Sequence, residues 1–294
     1  MAVVAVIGAA GRMGSWFTNF LTKNRYKVIV CDKDTKAANK LARKTGCKFV
    51  EDEITAARLG EIVLLATPTP TTKNLLKLFK TNIPQTTLRI EISSSKQPLR
   101  ETLKDMAKRK IPILSIHPMF GHGTRNPIGR TILVAQHPAR NRLAETFLAT
   151  LEKEGARIIQ TDLDNHDRYV ATTLALPHFL NFAMVNTLSR IGIEPSKARE
   201  IGGTTFRLQM LIAESLYHER LTNEVSIITD NPYAGKLLDR FAVEMNSFLA
   251  NVKRHRRARL LRDLKNGANY VRKDAMFSSA YDCFNLAVEA SEIN

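Results

Sequence analysis

Apolar residues fall in two rhythms along this chain. Up to about residue 160 they gather in short runs at 2–7, 27–31, 61–66, 88–92, 111–116, 131–135 and 157–159. Runs of this length, mostly apolar, predict strands covered on both faces, as in a parallel sheet. Between them lie helical patterns, among them one ending near residue 24, one around 74–80, one after Pro98 and one over 139–153. From Asp162 onward the short runs stop and long amphipathic stretches follow, at 164–190, 223–230, 233–252 and 255–291. The pattern therefore predicts an α/β unit over 1–160 and an almost wholly helical unit over 161–294. Helices this long and only partly apolar need a partner surface, so the second unit is expected to dimerise.

The first turn of the chain sharpens the fold class. The opening strand leads into Gly8-Ala9-Ala10-Gly11-Arg12-Met13-Gly14 and then a helix. Glycines at this spacing permit a tight turn and let backbone N–H groups approach a pyrophosphate at the helix N-terminus. A lone glycine triplet is weak evidence, but its place between a strand and a helix makes it strong. Gly8, Gly11, Arg12, Met13 and Gly14 are thus the expected dinucleotide cradle of a Rossmann-type, doubly wound sheet. Asp32 ends the second strand, where an acid accepts hydrogen bonds from the adenosine ribose. Its charge disfavours a 2′-phosphate, so NAD is expected over NADP, although Lys33 softens that preference. The competing role for Asp32 is a turn or helix cap. Thr67-Pro68-Thr69-Pro70-Thr71-Thr72 reads as a rigid polar turn, with Thr67 and Pro68 bordering the nicotinamide ribose.

Ser115-Ile116-His117-Pro118-Met119-Phe120-Gly121 carries the candidate chemistry. The strand should stop at His117, because Pro118 cannot donate to a continuing ladder and biases His117 toward extended backbone. A histidine is thereby held at the carboxyl end of a strand, the edge at which open α/β sheets bind ligands. An imidazole near its ordinary pKa can take or give a proton at neutral pH. Ser93, Ser94 and Ser95 leave the preceding strand at the same edge, as ligands or as caps of the following helix. His122 faces the site or is an ordinary loop residue. In the helical half, Pro177 should kink a helix and aim His178 toward a cleft. Arg207 lies among Phe206, Leu208, Met210, Leu211 and Ile212, and is either snorkelling or paired with an anion.

Composition narrows the classes. The formal charge of +16 fits either nucleic acid or a field that attracts small anions. The densest basic run, Lys253 to Lys265, holds seven Lys/Arg and one Asp and reads as a solvated helix face, without zinc-finger or RNA-binding aromatic motifs. Nucleic acid is the less favoured partner. Cys31, Cys47 and Cys283 make neither a disulfide framework nor a zinc spacing, so no metal is expected. No apolar run spans a bilayer, and no signal peptide opens the chain. A cytoplasmic location is the expectation.

Taken together, several of these segments resemble the prephenate dehydrogenases of tyrosine biosynthesis over nearly the whole chain. His117-Pro118-Met119-Phe120-Gly121 is close to that family's signature. Glu91-Ile92-Ser93-Ser94-Ser95-Lys96 is similar to its Asp-x-x-Ser-x-Lys segment, with Glu91 in place of Asp. His166-Asp167, Pro177-His178 and Phe206-Arg207-Leu208 match its helical-domain motifs. The resemblance implies oxidation of a cyclohexadienol by NAD with loss of a ring carboxylate. His117 would accept the hydroxyl proton with Ser94 assisting, and His178 and Arg207 would hold carboxylates. It leaves prephenate and its aminated analogue arogenate both open; the homodimer is expected from the long helices of the second unit. No appended regulatory domain or fused mutase is expected. Another two-domain NAD(P)-dependent hydroxy-acid dehydrogenase is the alternative enzyme, and a basic interaction protein on a nucleotide fold is the distant one.

Overall fold

The computed structural model describes residues 2–292 and divides into two compact units, one up to Val170 and one from Ala171. The first is an eight-stranded sheet with strand order β3-β2-β1-β4-β5-β6-β7-β8. The strands are β1 (Val3–Ile7), β2 (Lys27–Cys31), β3 (Lys48–Phe49), β4 (Ile62–Leu65), β5 (Leu88–Glu91), β6 (Ile113–Pro118), β7 (Thr131–Gln136) and β8 (Arg157–Gln160). All neighbours pair in parallel except β6 and β7.

The apolar runs have their reason in two cores. Successive side chains of a strand point to opposite faces. Val4 and Val6 of β1 join Val28, Val30, Leu64, Ile90 and Leu114 on one face, under Phe17 and Leu21 of the Arg12–Lys23 helix and Phe147 of the Arg142–Lys153 helix. Ala5 and Ile7 join Ile29, Val63, Leu65 and Ile113 on the other, under Leu75 and Leu76 of the Thr69–Leu78 helix and Leu103 of the Arg100–Lys108 helix. A one-sided sheet would have needed alternating polar positions. In β5 the alternation does appear: Leu88 and Ile90 enter the first core, whereas Arg89 and Glu91 are buried charges on the opposite face.

Several boundaries depart from the sequence expectation. β6 does not stop at His117; it runs through Pro118. Its parallel ladder with β5 ends at Ser115, but the antiparallel ladder with β7 continues past a register shift to pair His117 with Leu133 and Pro118 with Ile132. Pro118 lacks a donor, yet Met119 N–H supplies the next bond to Thr131 O at 2.9 Å. The segment from Thr69 is helix rather than turn. Pro68 is its N-cap and Pro70 lies in its first turn, where a missing N–H costs nothing. The serines after β5 do not cap the Arg100–Lys108 helix, which follows a 3₁₀ turn and has no side-chain cap.

The second unit is helical throughout its described residues: Leu176–Ile191, Pro195–Ile201, Thr204–Tyr217, Leu221–Thr229, Ala234–Lys253, Arg257–Val271 and Ala280–Glu292. A π-helical segment, Ala171–Ala175, precedes the first of these, and Pro177 falls in that helix's opening turn. Pro177 thus lies inside a helical run, as expected, one that is unbroken from Leu163 to Ile191 and turns π-helical at Ala171–Ala175 just before the proline. The basic run likewise is not one helix face. It spans the end of Ala234–Lys253, a turn with His255 at φ 52° and the start of Arg257–Val271, which buries none of its residues. No helix among the described residues is long and apolar enough to cross a membrane.

Candidate active site

Strand order places the crevice of the first unit between β1 and β4, where the chain's crossovers change direction. The glycines lie at that carboxyl edge. Gly8 follows β1 with φ +82°, and a Cβ there would sit 2.6 Å from Ala66 O. At Gly14 a Cβ would come within 2.0 Å of Gly8 O, so only glycine lets the helix pack against the strand exit. Gly11 is the helix N-cap and has no side chain to occupy the space before the first turn. Arg12 is exposed, and Met13 is half-buried against the core. The cradle a dinucleotide requires is thus present, and a side chain at either tight glycine would destroy it.

Asp32 is a structural part of this loop. Its Oδ2 accepts from Ala10 N–H and its Oδ1 from Asp34 N–H, both at 3.0 Å. Capping of the next helix falls to Asp34, which accepts from Ala37 N–H. Thr67 and Pro68 leave β4 beside Gly8, and the Thr67 hydroxyl bonds that of Thr72 at 2.8 Å. His122 is exposed and lines a cavity of about 250 Å³ with Arg12, Trp16 and Arg125. Trp16 Nε1 fastens that loop by donating to Thr124 O at 2.7 Å.

His117 is nearly sealed, at 4% exposed. Its Nδ1 lies 3.1 Å from Nε2 of His166, and His166 Nδ1 lies 2.9 Å from Asp167 Oδ1. The same Asp167 oxygen accepts the backbone N–H of Lys96 at 3.0 Å. His166 and Asp167 reach the sheet on the Leu163–Val170 helix, which belongs to the first compact unit. Asp162 caps this helix by accepting from Asp164 and Asn165 N–H, and those bonds hold its carboxyl below the usual range. Burial pushes the His117 pKa well below 6.5, and the nearby His166 and Lys96 push it the same way. Burial also lowers His166, against the opposing pull of Asp167.

Beneath them is a buried ion pair. Lys96 Nζ donates to Glu91 Oε1 at 2.7 Å, to Ser93 O at 2.8 Å and to Ile116 O at 2.7 Å. Three acceptors match the three protons of an ammonium. Glu91 is filled in turn by Ser93 N–H at 2.8 Å and by the Ser115 hydroxyl. This lysine therefore ties the exits of β5 and β6 together. Ser94, on the β5 exit, is half-buried.

Stability should follow the histidines. In the unfolded chain each titrates near 6.5; in the fold both bind protons only at lower pH. Between those values the unfolded state holds more protons, so stability is lost as pH falls below about 6.5. The melting temperature should drop from pH 7 to pH 5 and drop less in His166→Leu; equal slopes would contradict the burial argument.

In the second unit, His178 Nδ1 lies 2.6 Å from Glu224 Oε2, both largely buried, close but poorly aligned for a hydrogen bond. Arg207 is half-buried, and its Nε donates to Gly202 O at 3.1 Å. The structure brings His117, Ser94 and the glycine loop to one sheet edge. What the sequence reading overlooked is the group assembled behind His117: His166, Asp167, Lys96 and Ser115 drew notice only as residues of motifs. The available signal was an adjacent His-Asp pair at the start of a capped helix.

A doubly wound nucleotide-binding unit joined to an all-helical unit is the architecture of a two-domain dehydrogenase. The family model for the prephenate dehydrogenase nucleotide-binding domain matches residues 17–138, and that for the prephenate dehydrogenase dimerization domain matches 162–266. The chain belongs to the prephenate dehydrogenase family. A probable arogenate/prephenate dehydrogenase of Methanocaldococcus jannaschii is 23% identical over 99% of this chain and 66% of its own length. The T-protein of Haemophilus influenzae is 23% identical over 77% of this chain and 56% of its own. This chain thus spans less than two thirds of the length of each. Among solved structures, prephenate dehydrogenase from A. aeolicus in complex with hydroxyphenyl propionate and NAD⁺ superposes with a TM-score of 0.74 at 18% identity, over 93% of this chain and 99% of that one. Synechocystis arogenate dehydrogenase gives 0.70 at 15%, over 92% and 99%.

Proposed function

We propose that this protein catalyses the NAD-dependent oxidative decarboxylation of prephenate to 4-hydroxyphenylpyruvate. The observation that carries the reading is His117, a neutral, buried imidazole at the carboxyl edge of the same sheet whose first turn forms a dinucleotide cradle. Gly8, Gly11, Arg12, Met13 and Gly14 would hold the pyrophosphate, Asp32 the adenosine ribose, and Thr67 and Pro68 the nicotinamide end. NAD, when bound, supplies the hydride acceptor. A helix N-terminus with close backbone approach and a Cβ-free surface fits such a group.

His117 accepts the proton of the substrate 4-hydroxyl, with Ser94 at the neighbouring exit assisting. Removal of that proton makes the carbinol carbon a better hydride donor, and loss of carbon dioxide leaves an aromatic ring, which makes the step effectively irreversible. His178 and Arg207 hold substrate carboxylates; a guanidinium suits them because it binds in a fork. His122 contributes from the loop. Comparing kcat/KM for prephenate and arogenate tests the choice of substrate, since relatives of both names are similar to this chain. Higher kcat/KM for arogenate would overturn it.

Asp32 should exclude a 2′-phosphate by charge. Asp32→Ser is expected to narrow the preference for NAD over NADP and, because it removes the carboxylate bonded to Ala10 N–H, to raise KM for NAD as well. Equal use of NADP by the unaltered protein would contradict the role.

The helical unit is proposed to form a homodimer. Alone it exposes Val243, Phe248, Leu249, Leu261, Leu264 and Leu286, while the apolar cluster it buries among the described residues centres on the small set Ala175, Ile227 and Ala234. Apolar surface this extensive marks an interface. The chain should sediment as a dimer at micromolar concentration; a monomer there would contradict the proposal.

A further inference from the structure

The hydrogen-bond chain behind His117 has a definite direction. An ionised carboxylate can only accept. Asp167 Oδ1 already accepts the backbone N–H of Lys96, so it faces His166 Nδ1 as an acceptor too. His166 must then carry its proton on Nδ1, which in a neutral ring leaves a lone pair on Nε2. That lone pair meets His117 Nδ1 at 3.1 Å, so His117 must be the donor. The remaining nitrogen of His117, Nε2, is left bare. Among the described residues it has no hydrogen-bond partner.

We infer that Asp167 and His166 are positioning residues that lock His117 in the Nδ1–H tautomer, presenting Nε2 as the base, and that carry the positive charge formed when it acts. The inference rests on the proposed role of His117. In the proton step the substrate O–H bond breaks with its electron pair left on oxygen, and an Nε2–H bond forms on His117. The Nδ1–H bond of His117 breaks as that proton passes to Nε2 of His166. His117 returns to a neutral ring, and the imidazolium is His166, in contact with the Asp167 carboxylate. Moving the charge there is favourable. His117 has Lys96 and His166 as its charged or titratable neighbours, both disfavouring a cation, whereas His166 has Asp167 and Glu91 offsetting Lys96. In the opposite tautomer, Nε2 of His117 would bear hydrogen and could not accept from a hydroxyl.

The distinguishing measurement is the ¹⁵N shift of the His117 ring nitrogens in the full-length protein at pH 7.5, assigned by their loss in His117→Asn. A protonated Nδ1 and a bare Nε2 are expected. His166→Leu removes the acceptor and should release His117 to the Nε2–H form; His166→Gln offers an amide oxygen and should restore Nδ1–H. With NAD and prephenate, His166→Leu should lose roughly ten- to a hundredfold in kcat with KM little changed, and His166→Gln should recover part of it. An Nε2–H tautomer in the unaltered protein overturns the inference. So does a His166→Leu variant that keeps both tautomer and kcat while His117→Asn is inactive. If instead the tautomers behave as expected but His117→Asn keeps its turnover, the catalytic reading of His117 fails and the hydrogen-bond assignment stands.

Discussion

His117→Asn is expected to lower kcat by about a hundred- to ten-thousand-fold, the usual cost of losing a general base. Asparagine fits the same space and can still donate toward His166, so the fold of β6 should persist. NAD affinity should be nearly unchanged, because the glycine loop lies at β1 and the substitution removes nothing from it. The pH profile gives the sharper readout. Burial holds His117 well below 6.5, so the unaltered enzyme should keep its activity into mildly acidic solution before the base protonates. That acidic limb should vanish in the mutant. Near-normal turnover in His117→Asn would make the histidine structural.

The second large effect is on stability. Lys96 and Glu91 are both completely buried, and each satisfies the other. Replacing Lys96 by Met keeps the length of the side chain and removes the charge. Glu91 would then be an uncompensated carboxylate, and Ser93 O and Ile116 O would lose their donor. Breaking a buried pair from one side costs roughly 3–5 kcal/mol. For a marginally stable protein that is a large share of the total. Chemical denaturation should show a loss of this size. The paired change of Lys96→Met with Glu91→Leu should recover much of it, since neither charge is then stranded. A loss under about 1 kcal/mol for Lys96→Met alone would mean that the pair is not sealed from water. Because Lys96 also donates its backbone N–H to Asp167, slower turnover in the variant would follow from displacement of the histidine chain.

The sequence disclosed those features whose cause is local. Ala2 to Ile7 is apolar at every position because β1 is buried on both faces, and Gly8 and Gly14 are required by contacts a few residues away. Asp32 could be placed by counting from the loop. Features set by distant partners were harder to read. Pro118 looked like the stop of a strand because a proline cannot donate; the antiparallel partner β7 pairs it all the same. Pro68 and Pro70 looked like turn residues, yet at the start of a helix their missing donors are harmless. The two-residue strand β3 has no pattern to detect. Lys96 stood out only as a residue of a motif, because nothing nearby in sequence shows that Ile116 O, twenty positions on, will be its acceptor. The histidine pair is the extreme case. His117 and His166 are 49 residues apart, and only the return of a capped helix to the sheet puts their rings together. The arrangement of His178 and Glu224 has the same character, joining two helices through a contact with no periodicity behind it.

In the proposed reaction His117 serves an oxidation coupled to decarboxylation. Simultaneous measurement of reduced nicotinamide and released carbon dioxide, with purified protein, NAD and prephenate, tests it most directly. Equal amounts of the two are expected, both falling together in His117→Asn. Reduced nicotinamide without carbon dioxide, or no reaction with prephenate or arogenate at any pH between 6 and 9, would contradict it.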